Sequence, residues 1–94
     1  MTIGQTVVLA AKFKVGDRVK VAKDGLQKHS KTEAPSAGYT RNQMSWRKSV
    51  SDLLKKNDEG TIGRVFEHGS RSRYNVDFDS RDMIIDMPEY MLTK

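Results

Sequence analysis

Hydrophobic and polar residues alternate along two stretches of the chain, and a period of two is the pattern of a half-buried β-strand. Val15, Val19 and Val21 share one face of residues 15–21, with polar side chains between them. Residues 74–79 alternate more regularly still, with a hydrophobic residue at every second position. Each stretch is therefore predicted to form a strand that buries one face.

Shorter patterns complete the predicted sheet. Residues 60–66 are mostly apolar, but their alternation slips at Gly63, which predicts a β-bulge or a sharp bend. Residues 83–85 predict a short buried strand, and residues 88–90 a single helical turn. Tight turns are predicted at 14–17 and 68–72. The core predicted from these segments consists of Val19, Val21, Ile62, Val65, Tyr74, Val76, Phe78 and Ile84.

The middle of the chain has a different pattern. Residues 26–41 are polar and offer few side chains to a core, so they are predicted to form a long loop. Residues 42–56 have the period of an amphipathic helix, and Asn57 can adopt the left-handed conformation that ends one. The apolar stripe of this helix consists of Trp46, Val50, Leu53 and Leu54.

Four segments follow one another in the order found in a known group of small β proteins. They are FKVGDRVKV (13–21), EGTIGRV (59–65), RYNVDF (73–78) and PEYML (88–92). This series resembles the SH3-like small barrels of the KOW and Tudor type, which include many small bacterial and phage proteins. The resemblance implies a mainly β fold, an SH3-like small barrel of about five strands. It implies little about function, because small barrels serve many unrelated roles.

The resemblance also implies a domain organisation. Residues 1–94 are expected to form a single SH3-like barrel domain, in which 1–11 are an N-terminal tail or edge strand. Residues 26–56 are a loop-plus-helix insertion after the first barrel strand, longer than the ordinary loop at that place. Any feature that distinguishes this protein from other small barrels is expected in that insertion.

Composition narrows the class of protein further. The 94 residues are enough for one small domain, and the absence of cysteine excludes disulfides and thiol chemistry. The longest apolar run, residues 7–11, is far shorter than the roughly 20 residues that cross a bilayer, and it lacks the features of a signal peptide. We therefore expect a cytoplasmic protein that does not contact membranes.

The sequence lacks patterns typical of catalysis or metal binding. Its two histidines lie in separate predicted loops, are expected to be exposed to solvent, and do not have the spacing of zinc ligands. Asp77 and Asp79 share the outer face of their strand, where pairing with Arg64 or Arg81 is expected rather than cation binding. The sequence therefore predicts no enzyme activity, no metal and no cofactor.

Charge is distributed unevenly along the chain, and this is the main functional signal. Residues 1–56 contain twelve basic and four acidic residues, a balance of +8, whereas residues 57–94 contain five basic and eight acidic residues, a balance of −3. A basic surface is what binding to the phosphates of a nucleic acid requires. The candidate contacts with RNA or DNA are Lys20, Lys23, Lys28, Lys31, Tyr39, Arg41, Arg47 and Lys48.

Two hypotheses about function remain open at this point. The first is a nucleic-acid-binding module in which the basic and aromatic residues of the insertion contact phosphates and bases. The second is a protein-interaction module that docks through the insertion helix or through an acidic outer face. That face would consist of Asp77, Asp79, Asp82 and Glu89. Trp46 is expected to pack its helix onto the barrel, whereas Tyr39, in the predicted loop, favours neither hypothesis.

Overall fold

The computed structural model describes residues 11–33, 37–67 and 72–94. In these ranges the chain forms five strands, two α-helices and a 3₁₀ turn at Glu89–Met91. The elements are β1 (Arg18–Val21), α1 (Gly25–Thr32), α2 (Arg41–Lys56), β2 (Glu59–Phe66), β3 (Arg73–Phe78), β4 (Ile84–Pro88) and β5 (Leu92–Thr93). Apart from Ala11 and Ser72, the predicted tail or edge strand at 1–11 and the predicted turn at 68–72 lie outside the described residues.

The strands form one antiparallel sheet in the order β4-β3-β2-β1-β5. β4 and β5 lie at opposite edges, and within the described residues they do not pair, so the sheet is not closed into a barrel. The two residues of β5 pair instead with Lys20 and Val21 of β1. The prediction of a mainly β fold with about five strands is therefore confirmed as an open five-stranded sheet accompanied by two helices. No helix in the described ranges is both long enough and apolar enough to cross a membrane.

The hydrophobic core covers the inner face of the sheet, and β3, an interior strand, contributes every second residue to it. Six of the predicted core residues are buried: Val19, Val21, Ile62, Tyr74, Val76 and Phe78. Val65 is only partly buried. From its predicted stripe, α2 adds the buried side chains of Val50 and Leu53, while Trp46 and Leu54 pack at the margin of the core.

The first strand is shorter than predicted, because the predicted turn occupies its start. Gly16 has a φ of 94°, which residues with a side chain rarely adopt. The carboxylate of Asp17 accepts a hydrogen bond from the amide of Lys14 at 3.0 Å and closes the turn. β1 consequently begins at Arg18, and Val15 is 63% exposed rather than on the buried face of a strand.

The last predicted core strand is displaced by one residue. Met83 and Ile84 are 69% and 62% exposed, and the buried side chains of β4 are those of Ile85 and Met87. Ile85 lies opposite Val76 of β3, and side chains alternate between the faces of a sheet, so a strand that buries Ile85 must expose Ile84. The prediction that Ile84 belongs to the core is wrong.

β2 contains the predicted irregularity. Its register against β3 shifts between Ile62 and Arg64, so the bulge predicted at Gly63 is confirmed. Gly60, earlier in the same strand, lies very close to β3. A Cβ atom added at Gly60 would be 2.7 Å from the side chain of Val76, so this position has no room for a larger residue.

α2 begins and ends close to its predicted bounds, and its sequence explains both ends. The Thr40 side chain accepts a hydrogen bond from the Gln43 amide at 3.1 Å, and the Gln43 side chain accepts one from the Thr40 amide at 2.7 Å. This reciprocal pair is a capping box. At the other end Asn57 has a φ of 52°, the predicted left-handed conformation.

The predicted long loop contains a second helix, α1, so that prediction is wrong for its first half. Leu26 is the only large aliphatic residue of α1, and the sequence therefore shows no helical period there. Neighbouring segments supply the packing: a Cβ on Gly25 would lie 3.2 Å from the Cα of Met91, and Arg47 of α2 donates a hydrogen bond to Ser30 at 2.9 Å. Tertiary contacts stabilise this short helix, as they do most helices.

Candidate nucleic-acid interface

The predicted contact residues divide into two groups by their exposure. The exposed group consists of Lys23, Lys28, Lys31, Arg41 and Lys48. The partly buried group consists of Lys20, Tyr39 and Arg47. Lys20 lies on β1, apart from the rest, which belong to α1, α2 and the segments next to them.

α2 presents a basic surface to solvent on the side away from its buried stripe. Arg41, Lys48 and Lys55 are all exposed and recur every seven residues. Seven residues are close to two helical turns, so these side chains form a row with roughly 10 Å between neighbours. Lys56 extends the surface at the C-terminal end of the helix. These four residues are called the α2 basic face below.

Sequence reasoning missed half of this face. Lys55 and Lys56 were not among the contact residues predicted from the sequence. The seven-residue spacing between Lys48 and Lys55 was the signal that could have placed Lys55 in the same row.

Every acidic residue between positions 23 and 56 is engaged by a cation. The pairs are Asp24 with Lys28 at 3.3 Å, Glu33 with Arg73 at 3.6 Å and Asp52 with Arg81 at 3.8 Å. Two of these cations come from the sheet side of the molecule. Six exposed cations of this segment make no ion pair with any described residue: Lys23, Lys31, Arg41, Lys48, Lys55 and Lys56. Intramolecular pairing therefore leaves an excess of positive charge on residues 23–56, which we call the helical segment.

Arg47 does not belong to this exposed charge. Its guanidinium lies 4.6 Å from the centre of the Tyr39 ring, donates to Ser30 at 2.9 Å, and contacts Nδ1 of His29 at 2.7 Å. Arginine always donates, so Nδ1 of His29 is the acceptor in this contact. Arg47 therefore holds α1 against α2 as a partly buried side chain, whereas the sequence grouped it with the cations expected to contact nucleic acid.

His29 is a half-buried helix residue rather than an exposed loop residue, which corrects the prediction. Its ring centre lies 4.9 Å from that of Trp46 and 5.9 Å from that of Tyr39, whose ring it stacks on. Burial lowers the pKa of His29; Glu33 opposes this effect, while Arg47 lowers the pKa further. Both this shift and the hydrogen bond that Nδ1 accepts from Arg47 favour the neutral form of the ring. His68 lies outside the described residues.

A cleft of about 340 Å³ opens beside this aromatic cluster, between the two helices and the edge of the sheet. It is lined by His29, Glu33, Asn42, Gln43, Trp46, Arg73 and Asp86. The indole Nε1–H of Trp46 donates to the main-chain carbonyl of Asp86 at 3.1 Å, so α2 is fixed to β4 along one side of the cleft. The packing role expected of Trp46 is confirmed, and it leaves the residue at the wall of a cavity. We call this cavity the aromatic cleft.

Asp77, Asp79 and Asp82 of the predicted acidic outer face are exposed. Glu89 is partly buried and accepts a hydrogen bond from the buried Tyr74 hydroxyl at 2.6 Å, so the prediction that it belongs to this face is wrong. The arginine partners of the face also differ from the prediction. Asp79 pairs with Arg18 at 2.5 Å, and this hydrogen bond lowers the pKa of the Asp79 carboxyl. Arg64 lies instead over the ring of Phe66, and Arg81 contacts α2. The predicted pairing of this face with Arg64 or Arg81 is therefore wrong, because β1 supplies the arginine from its own outer face.

No group of three or more metal-ligating side chains comes together among the described residues. Comparisons with models of protein families, with curated proteins and with solved structures find no match to this chain.

Proposed function

We propose that this protein is a non-enzymatic nucleic-acid-binding module whose main contact surface is the α2 basic face. The observation that carries the proposal is the set of six exposed cations between positions 23 and 56 that no described carboxylate neutralises. A surface with several unpaired cations gains affinity for a polyanion, because its binding releases condensed counterions from the phosphates.

The proposal includes the SH3-like, KOW-type relationship suggested by the sequence motifs. The four motif segments correspond to the region of β1, to β2, to β3, and to the 3₁₀ turn with β5, in the order of the resemblance. Two further features support the SH3-like relationship. A 3₁₀ turn joins β4 to β5, and β5 then returns to pair with β1. The helical segment between β1 and β2 is then the part specific to this protein.

A second candidate function is protein interaction through the outer side of β4. The observation that favours it is the exposure of Met83 and Ile84, at 69% and 62%, beside the exposed carboxylates of Asp77 and Asp82. Exposed apolar side chains next to charges are typical of contact surfaces. Such a partner would be a protein with a basic and apolar surface.

The proposed function is tested by fluorescence anisotropy with labelled single-stranded RNA, single-stranded DNA and duplex DNA, between about 50 and about 200 mM salt. Binding that weakens steeply as salt rises is expected for at least one polymer. No binding to any of them at low salt would end the proposal and leave the protein-interaction candidate.

A matched pair of variants tests the surface itself. Lys48→Ala with Lys55→Ala removes two cations of the α2 basic face, and Lys14→Ala with Arg64→Ala removes two exposed cations outside the helical segment. The first variant should reduce the salt slope by about two phosphate contacts, and the second should leave it nearly unchanged. Equal weakening by both would show that only net charge matters, and would refute the assignment of the α2 basic face.

A further inference from the structure

The aromatic cleft combines two kinds of uncharged group that the α2 basic face lacks. His29 and Trp46 contribute aromatic rings, and Asn42 and Gln43 contribute side-chain amides from the first turn of α2. The Asn42 side chain makes no hydrogen bond with any described residue, so both its donor and its acceptor are available to a ligand. The volume of the cleft, about 340 Å³, is at the small end of the range for ligand sites and suits one planar heterocycle.

The charges in the cleft argue against a phosphate inside it. Arg73 is the only cation that lines the cleft in the described residues, and it is paired with Glu33 at 3.6 Å and with Asp86 at 3.0 Å. His29 accepts a hydrogen bond from Arg47 at Nδ1, which favours its neutral form, and burial lowers its pKa in the same sense. One cation against two carboxylates leaves the lining net negative. A neutral ligand with N–H donors is therefore favoured over an anion.

The cleft and the α2 basic face meet at the start of α2. Arg41 of the basic face directly precedes Asn42 and Gln43 of the cleft. A strand whose phosphates lie along the basic face would thus pass the mouth of the cleft at Arg41. Unpaired bases can leave the backbone sideways, stack on aromatic rings and bond to amides through their Watson–Crick edges, whereas the bases of a duplex cannot.

We propose that the aromatic cleft takes up one unpaired base of a single-stranded nucleic acid, which makes the protein selective for single strands. This inference rests on the proposed function, and it adds a base-binding site to a surface that otherwise contacts only phosphates. Stacking on His29 and Trp46 supplies affinity, and the amide of Asn42 contacts the edge of the base.

The test of this inference separates the contribution of the bases to binding from that of the phosphates. Three ligands of about twelve nucleotides are compared: a single strand of mixed sequence, the same strand with abasic sites throughout, and the duplex. Trp46 is the only tryptophan of the chain, so its fluorescence reports on the cleft, while anisotropy reports on binding as a whole. The intact strand should quench Trp46 and bind about tenfold more tightly than the abasic strand, which keeps every phosphate.

Asn42→Ala should weaken binding of the intact strand severalfold and leave binding of the abasic strand unchanged. Ser45→Ala, at another exposed position of α2, is the matched control and should change neither. If the intact and abasic strands bind equally, with salt dependence retained and Trp46 unquenched, the cleft is not a base site and the proposed function still stands. If no strand binds at all, both proposals fail.

Discussion

The indole nitrogen of Trp46 lies 3.1 Å from the carbonyl oxygen of Asp86 and donates a hydrogen bond to it. Trp46 belongs to α2 and Asp86 to β4, an edge strand of the sheet. Edge strands expose main-chain groups that can pair with other chains, and natural proteins often cover them. This bond therefore satisfies a polar group of the edge and fixes the orientation of α2 relative to the sheet.

Replacing Trp46 with Phe should lower the free energy of unfolding by about 1 kcal/mol. Phenylalanine keeps an aromatic ring at this position but has no N–H for the Asp86 carbonyl. Urea unfolding followed by circular dichroism measures the change, with Ser45→Ala as a surface control on the same helix. A variant as stable as the wild type would mean that water replaces the indole donor without cost.

The parts of the fold that the sequence predicted are those with a strong local period. Val76 and Phe78 alternate with charged residues, and Val50 and Leu53 recur at helical spacing, so the strand and the helix were both evident. The core position at Ile84 was wrong because Ile84 and Ile85 are adjacent and equally apolar. Only the pairing of Ile85 with Val76 decides which one is buried.

The candidate site was predictable in its charge but not in its geometry. The excess of lysine and arginine can be counted along the chain, and most of the predicted cations are indeed exposed. The contact between Arg47 and His29 joins residues 18 positions apart and depends on α1. α1 lacks an apolar period, so neither its existence nor the aromatic cleft beside it could be inferred from local pattern.

Arg47→Ala should destabilise the protein by about 1–3 kcal/mol, whereas Lys48→Ala should stay within about 0.5 kcal/mol. The neighbouring residues differ because Arg47 bonds to Ser30 and His29 of α1, while Lys48 is exposed without an ion-pair partner among the described residues. Thermal or urea unfolding of both variants measures the difference. Equal stability of the two would contradict the role of Arg47 as the link between the helices.

Leu53→Ala should lower the free energy of unfolding by about 2–5 kcal/mol, as truncation of a buried leucine does. Leu53 is buried in the core under α2, whereas the adjacent Leu54 is only partly buried at its margin. Leu54→Ala is therefore the matched control and should cost less. If both substitutions cost equally little, α2 does not pack on the sheet in solution.

Gly60→Ala should be destabilising by about 1–3 kcal/mol, as overpacked positions are. The new Cβ would lie 2.7 Å from Cγ1 of Val76 and 2.9 Å from the carbonyl oxygen of Asp77, and neither β3 neighbour can move freely. Gly63→Ala is the control, because its Cβ would come no closer than 3.8 Å to the Asn75 oxygen. A Gly60→Ala variant as stable as Gly63→Ala would show that β2 and β3 are less closely paired than described.

The Tyr74 hydroxyl should make the fold sensitive to alkali. It is buried, donates to Glu89 at 2.6 Å and accepts from the Phe13 amide at 3.1 Å. Burial raises the pKa of Tyr74 to about 12, and the hydrogen bond to Glu89 contributes to the rise. Between the usual pKa of 10.0 and this value, the unfolded chain loses the phenolic proton while the folded chain keeps it.

Because the folded state then holds more protons than the unfolded state, the free energy of unfolding falls as pH rises through this window. The stabilisation from Tyr74 is fully present below pH 10, and a loss on the order of 2 kcal/mol is expected by pH 12. Urea unfolding at a series of alkaline pH values measures it. Tyr74→Phe should flatten the decline and Tyr39→Phe should not. A parallel decline in wild type and Tyr74→Phe would assign alkaline unfolding to other groups, such as the lysines.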